Sequence, residues 1–304
     1  SGATNGWIPT LDKAVADVPV VPGNQEGIFG FGRDGTGNLG MTNLVSNAGV
    51  VGTDVTAVGT ARYGPMACEY GEDKGIFAYG YTDTYDSMSN LVSNTGVVAS
   101  DVTGVGTGRD RGAACEYGGD KGIFGFGTAG SMTAVTNLVT NVGVVGTDVT
   151  GVGTARRALA CCEYGDDKGI FGFGETLNET NLVSNVGVVG TDVTGVGTDR
   201  YGPGACGYGG DKGIFGFGGT DSSYFSMTNL VSNVGVVATD TTGVGTARFN
   251  LAACEYGGDK GIFGYGSTGS VVSLTNLVSN AGVVATDVTG VGTARHYVAA
   301  CSFN

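Results

Sequence analysis

The chain has 304 residues and a formal net charge of −13. With no basic run, that charge argues against binding a phosphate backbone; the apolar stretches, broken by Gly, Thr and Asp, fall far short of the roughly 20 residues that span a bilayer. Gly is 60 of 304 without recurring at every third position, and 41% of residues are hydrophobic, 13 Tyr and 13 Phe among them, so a collagen-like or a disordered chain is excluded.

Residues 1–26 read as an N-terminal extension without the basic and apolar regions of a secretory leader. From there a six-residue phrase recurs: GIFGFG at 27–32, GIFAYG at 75–80, GIFGFG at 122–127, 169–174 and 213–218, and GIFGYG at 261–266. The starts are spaced by 48, 47, 47, 44 and 48 residues, which makes six repeats. A period in the forties, filled with short β-prone runs and Gly-rich turns and lacking helical apolar periodicity, is that of β-propeller blades.

Within a repeat, GACGYGGDKGIFGFG (204–218) reads as strand, turn, strand, and MTNLVSNVGVVATD (227–240) reads as a second hairpin. The expectation is therefore all-β: a six-bladed propeller over 27–304 with four antiparallel strands per blade. Before Gly27 the usual AACEYGGDK is replaced by VPVVPGNQE (18–26), whereas the chain closes on AACSFN (299–304). The C-terminal strand is expected to complete the first blade and close the ring, with Pro19-Val20-Val21 as a competitor for that place. A monomeric ring is expected.

Several side chains recur once per repeat. Cys68, Cys115, Cys162, Cys206, Cys254 and Cys301 share one position, with Cys161 as a seventh. Equivalent inner strands are expected to stand too far apart for disulfides, and neither a C-x-x-C pair nor accompanying His points to a metal, so small buried thiols are expected. Alternation puts Glu69, Glu116, Glu163 and Glu255 on the opposite face, with Gly207 and Ser302 in the remaining slots and Lys74, Lys121, Lys168, Lys212 and Lys260 as neutralising partners. Asp54, Asp101, Asp148, Asp192, Asp240 and Asp287, with Arg62, Arg109, Arg156, Arg200, Arg248 and Arg295, read as six copies of one structural brace. The lone His296 has no partner nucleophile in view and no phosphate loop occurs, so neither an enzyme nor a cofactor is expected.

The copies disagree in two places. After the second strand they read RDGTGNLGM (33–41), YTDTYDSMS (81–89), TAGSMTAVT (128–136), ETLNET (175–180), GTDSSYFSMT (219–228) and STGSVVSLT (267–275); after the recurring Arg they read YGPM, DRGA, RALA, YGPG, FNLA and HYVA. In an up-and-down blade both connections lie on one face, while the GGDK and SN-x-G turns lie on the other. Variation confined to one face of a rigid scaffold is where recognition sits. The candidate ligand-binding residues there are Tyr63, Tyr81, Tyr85, Asp86, Arg111, Tyr201, Tyr224, Phe225, Phe249, His296 and Tyr297, the aromatic and polar mixture that grips sugars and protein surfaces.

The order of Arg, small-residue strand, turn and Gly-rich apolar strand in TARFNLAACEYGGDKGIFGYG (246–266), followed by TNLVSNAGVV (275–284), resembles the kelch family over residues 27–304. The repeated TNLVSN, GVGTAR and GGDKGIFGYG are also similar to near-identical-repeat proteins encoded in marine phage genomes. That second resemblance implies a virion- or tail-associated protein whose variable face binds a glycan or protein on a host surface, with no nucleic-acid partner and no membrane insertion. The alternative is a purely structural or engineered repeat with no ligand of its own.

Overall fold

The computed structural model describes residues 25–56 and 58–303, and the competition expected from Pro19-Val20-Val21 lies outside them. Among the described residues there are eighteen strands and no helix. They form six three-stranded antiparallel sheets. One comprises β1 (Gly27–Gly30), β2 (Thr42–Val45) and β18 (Ala299–Ser302); the next has β3 (Met66–Tyr70), β4 (Lys74–Tyr81) and β5 (Tyr85–Val92). The remaining four repeat the plan with β6 (Ala113–Tyr117) to β8 (Thr136–Val139), β9 (Ala160–Tyr164) to β11 (Thr180–Val183), β12 (Gly204–Tyr208) to β14 (Thr228–Val231), and β15 (Ala252–Tyr256) to β17 (Thr275–Val278). The result is a β-propeller-like repeat of six sheets.

The recurring hexapeptide is the middle strand of each sheet. Its first four residues pair with the third strand, and the fifth is an aromatic residue in the left-handed region, such as Phe31 (φ 60°) and Phe217 (φ 62°); the strand ends before it in five sheets, whereas in β4 the register shifts around Tyr79 and the strand runs on to Tyr81. In the first sheet β18 lies antiparallel to β1, with Gly27 opposite Ser302 and Gly30 opposite Ala299. The first and last described strands are thereby joined in one sheet.

The sheets have three strands, not the expected four. The segment after the SN-x-G turn touches its neighbour only at isolated bridges, Val45 to Val51 and Thr42 to Val55. Three steps on one side answer four on the other, so the segment bulges. The Asn43 side chain fills the gap, donating through Nδ2 to the Gly52 carbonyl (2.9 Å) and to Asp54 (3.0 Å). Asp54 is then free to reach a neighbouring repeat: it accepts from the Thr293 N–H and, at 2.7 Å, from the Thr293 hydroxyl. A side chain thus takes over from a backbone ladder.

Apolar clusters fill the spaces between neighbouring sheets, including that between the sixth sheet and the first, where Phe29 and Val298 meet Cys254 and Tyr265. Two glycines of the hexapeptide are fixed by this packing. A Cβ on Gly27 would lie 2.7 Å from Cys254 Sγ, and one on Gly30 would lie 2.8 Å from the Phe77 ring. Each sheet therefore receives a thiol from one neighbour and an aromatic ring from the other.

The thiols are buried as expected at Cys68, Cys162, Cys206, Cys254 and Cys301. Cys115 corrects the expectation, since it forms a disulfide with Cys161 on the adjacent sheet, Cα to Cα 5.5 Å. In the other interfaces the recurring Cys packs beside a small alanine, as Cys68 does with Ala114 and Cys301 with Ala67. Cys161 stands in that alanine's place, which brings a second sulfur within bonding range.

The six recurring arginines are all 0% exposed. Arg295 is representative: Nε donates to the Phe31 carbonyl (2.9 Å), Nη2 donates to Asn43 (2.8 Å), Asp54 lies 3.9 Å from Nη1, and the guanidinium lies 4.1 Å over the Tyr265 ring of the adjacent sheet. Burial is the dominant influence on these groups, pulling Arg62, Arg200 and Arg248 down to about 10 against the opposing carboxylates. The brace reading of Arg and Asp matches this geometry.

Candidate functional site at the variable mouth

The two kinds of connection gather on opposite sides. On one, the side chains of Asn94, Asn141, Asn185, Asn233 and Asn280 donate to the turn aspartates Asp73, Asp120, Asp167, Asp211 and Asp259. On the other, the residue after the recurring Arg pairs with the segment following the hexapeptide, as in the bridges Tyr63 to Tyr81, Arg33 to His296 and Phe249 to Ser267. Both variable segments meet on that second side.

Its centre is a closed circle of backbone hydrogen bonds. The N–H of Gly64 donates to Tyr297, Tyr297 to Asn250, Asn250 to Gly202, Gly202 to Ala158, Ala158 to Arg111, and Arg111 back to Gly64, at 2.6–3.0 Å. All six residues have φ between 52° and 62°, four of them non-glycine. A left-handed non-glycine residue costs on the order of 1 kcal/mol, and the circle over-determines the conformation. Around it Arg111, Asn250 and Tyr297 line a cavity of about 60 Å³.

A run of rings crosses this mouth. Tyr85 meets Tyr81 (5.1 Å between centroids), Tyr81 meets Tyr63 (5.4 Å), Tyr63 meets Tyr297 (5.4 Å), and Tyr297 meets His296 (4.5 Å). Two guanidiniums border the run: Arg33 lies 5.0 Å over Tyr63 and Arg111 lies 6.0 Å over Tyr297. A second group stands apart, with Tyr224 stacked on Phe249 at 4.7 Å and Tyr201 edge-on to Phe249 at 5.5 Å. Of the candidates, Asp86 and Phe225 join neither group. Asp86 sits in β5 opposite Gly80 with one carboxylate oxygen buried and unpartnered, and Phe225 contributes backbone bonds to Gly218 and Arg248. Arg33 was not singled out from the sequence; its position just after Gly32, equivalent to Tyr81, was the available signal.

Charge on this face is partly cancelled. Arg111 Nε donates to the buried Asp110 (3.0 Å), and Arg157 pairs with Glu175. Burial raises the Asp110 carboxyl despite that partner. His296 is lowered to about 4, first by burial and then by Arg33, so it stays neutral near pH 7. Its Nδ1 and the Asn250 Nδ2 are buried without partners.

The opposite mouth is acidic. Glu69, Glu72, Glu116, Glu163, Asp166 and Glu255 line a cavity of about 340 Å³ whose walls hold no basic residue. The lysines expected to pair with the ring of glutamates sit instead on the aspartates beside them, Lys74 on Asp73 and Lys260 on Asp259. Burial, then the Glu163 charge, raises Glu116 to about 8, and the same pair of causes raises Glu255 well above the usual range. Glu255 leans over Gly207, whose missing side chain leaves it room.

No family model matches the chain, and no curated protein matches it. Among solved structures it is similar to a fungal alcohol oxidase of the AA5 family in complex with copper, with 14% identity and a TM-score of 0.55, over 90% of this chain and 64% of that one. The chain thus spans less than two thirds of that neighbour, and the likeness is one of fold. It corrects the expectation that no enzyme is to be found here: a fold of this kind carries an oxidase, and architecture does not decide activity. A copper centre needs several nitrogen or oxygen donors in a tetragonal set. The residues here do not fit one, since the chain has a single His and no group of three or more His, Cys, Asp or Glu among the described residues could hold a metal ion.

Proposed function

We propose that the chain is a closed six-bladed propeller, its first blade completed by the C-terminal strand, and that its variable mouth recognises a glycan or protein group on a host surface. The supporting observation is the run from Tyr85 to His296, five rings at 4.5–5.4 Å spacing assembled from three different connections. None of these rings serves the apolar clusters between sheets, and Tyr85 remains 36% exposed. Rings left at a surface with their polar tips accessible are suited to stacking on sugar faces and to packing against protein side chains. The phage resemblance supplies the host surface as the setting. Binding of the parent and of Tyr63→Ala/Tyr81→Ala/Tyr85→Ala to glycan arrays and to intact cells tests this: the parent should bind and the triple variant should not, whereas undiminished binding by the variant would refute the assignment.

A further inference from the structure

Resting on the recognition reading above, we infer that the variable mouth takes a saccharide bearing a carboxylate, with Arg33 as the residue that reads the charge. Three guanidiniums border this mouth, and two have their own carboxylates: Arg111 on Asp110 and Arg157 on Glu175. Arg33 has no ion-pair partner among the described residues; it lies 5.0 Å over the Tyr63 ring, half-buried. Stacking fixes the guanidinium plane, so little side-chain freedom is left to lose when a planar carboxylate is bound.

The polar groups around it favour the same ligand. Arg33 and His296 exchange backbone hydrogen bonds of 2.9 and 3.0 Å, and the next residue, Tyr297, donates its N–H to Asn250 at 2.9 Å. That places on one continuous strip a cation lacking a carboxylate, an imidazole with a buried unpartnered Nδ1, and Asn250, 5% exposed, with an unpartnered Nδ2 donor on a residue lining the central cavity. Guanidinium and amide donors call for acceptors on the ligand, and the tyrosine run supplies flat surface for sugar rings. On a chain of net charge −13 an unneutralised guanidinium beside open aromatic surface is an exception that an acidic sugar would use.

Calorimetric titration with trigalacturonate and with its methyl ester, which keeps the rings and removes the charge, tests the inference on the parent, Arg33→Gln and Tyr63→Ala. The parent should bind the acid about tenfold or more tightly than the ester, the scale of one charge-assisted hydrogen bond. Arg33→Gln should lose that preference while melting like the parent, and Tyr63→Ala should weaken both ligands. Equal binding of acid and ester by the parent, or a preference that survives Arg33→Gln, overturns the charge assignment and leaves recognition standing. Absence of binding to either ligand also overturns it, and if the array and cell experiment is negative as well, the recognition reading falls separately.

Discussion

The two faces of the propeller-like repeat are built on the same strands and differ in what sequence repetition has done to them. At the acidic mouth, near-identical turns repeat one bond, Asn to Asp, from sheet to sheet, and the carboxylates of facing glutamates are crowded into one cavity. At the variable mouth the backbone circle is as regular, yet the residues just before its six members are Tyr63, Asp110, Arg157, Tyr201, Phe249 and His296. Regular backbone with irregular side chains lets one scaffold display a surface without six-fold symmetry. The contrast extends to arginine, since the six recurring ones are sealed inside as braces while Arg33 stands half-open over Tyr63.

The largest expected effect tests the frame that both mouths share. Removing Val298–Asn304 takes away β18, the partner of β1 along Gly27–Gly30, and should abolish the parent's cooperative melting transition; a truncated chain that melts like the parent would show that another segment pairs with β1. Next in size is Arg295→Met. It leaves the Asn43 oxygen, the Phe31 carbonyl and Asp54 without their buried cation, and should lower unfolding free energy by about 3–5 kcal/mol in urea titration.

The smallest effect is a difference in pH response. Glu116, raised to about 8, is protonated more readily folded than unfolded, so its contribution is complete below about pH 4.5 and fades as pH rises to 8. His296, lowered to about 4, acts in the opposite sense, and its contribution is complete above about pH 6.5 and is lost as pH falls to 4. Glu116→Gln should therefore flatten the alkaline side of a stability profile and His296→Gln the acid side, by at most about 1.4 kcal/mol per pH unit. Indistinguishable profiles would mean that neither mouth is desolvated as described.

The six-fold period, the middle strand and the two-sided sorting of turns are legible in the sequence, because Gly-Ile-Phe followed by Gly, or by Ala78 in the second copy, has to satisfy the same two neighbours, as a thiol does on Gly27 and a ring on Gly30. The fourth strand is not legible because the run after the SN-x-G turn, VVATD (236–240) in the fifth repeat, has strand composition, whereas the ladder is interrupted by a side chain, Asn229 there and Asn43 in the first repeat, whose reach no propensity reports. The disulfide is hidden for a related reason: the spacing of equivalent cysteines says nothing of it, because it joins one of them, Cys115, to Cys161 in an alanine's slot. At the site, aromatic content was visible, but which rings touch was not. Tyr63 and Tyr297 are 234 positions apart and meet only because β18 returns to β1.

Recognition at the variable mouth is tested most directly by placing matched changes at both mouths. The parent, Tyr63→Ala/Tyr81→Ala/Tyr85→Ala and Lys74→Ala/Lys121→Ala/Lys260→Ala would be compared for binding to the same cells and saccharides at one temperature well below the measured melting temperatures of all three. Binding should vanish in the tyrosine variant and persist in the lysine variant, with all three proteins folded. Loss of binding in the lysine variant alone, with the tyrosine variant indistinguishable from the parent, would contradict it.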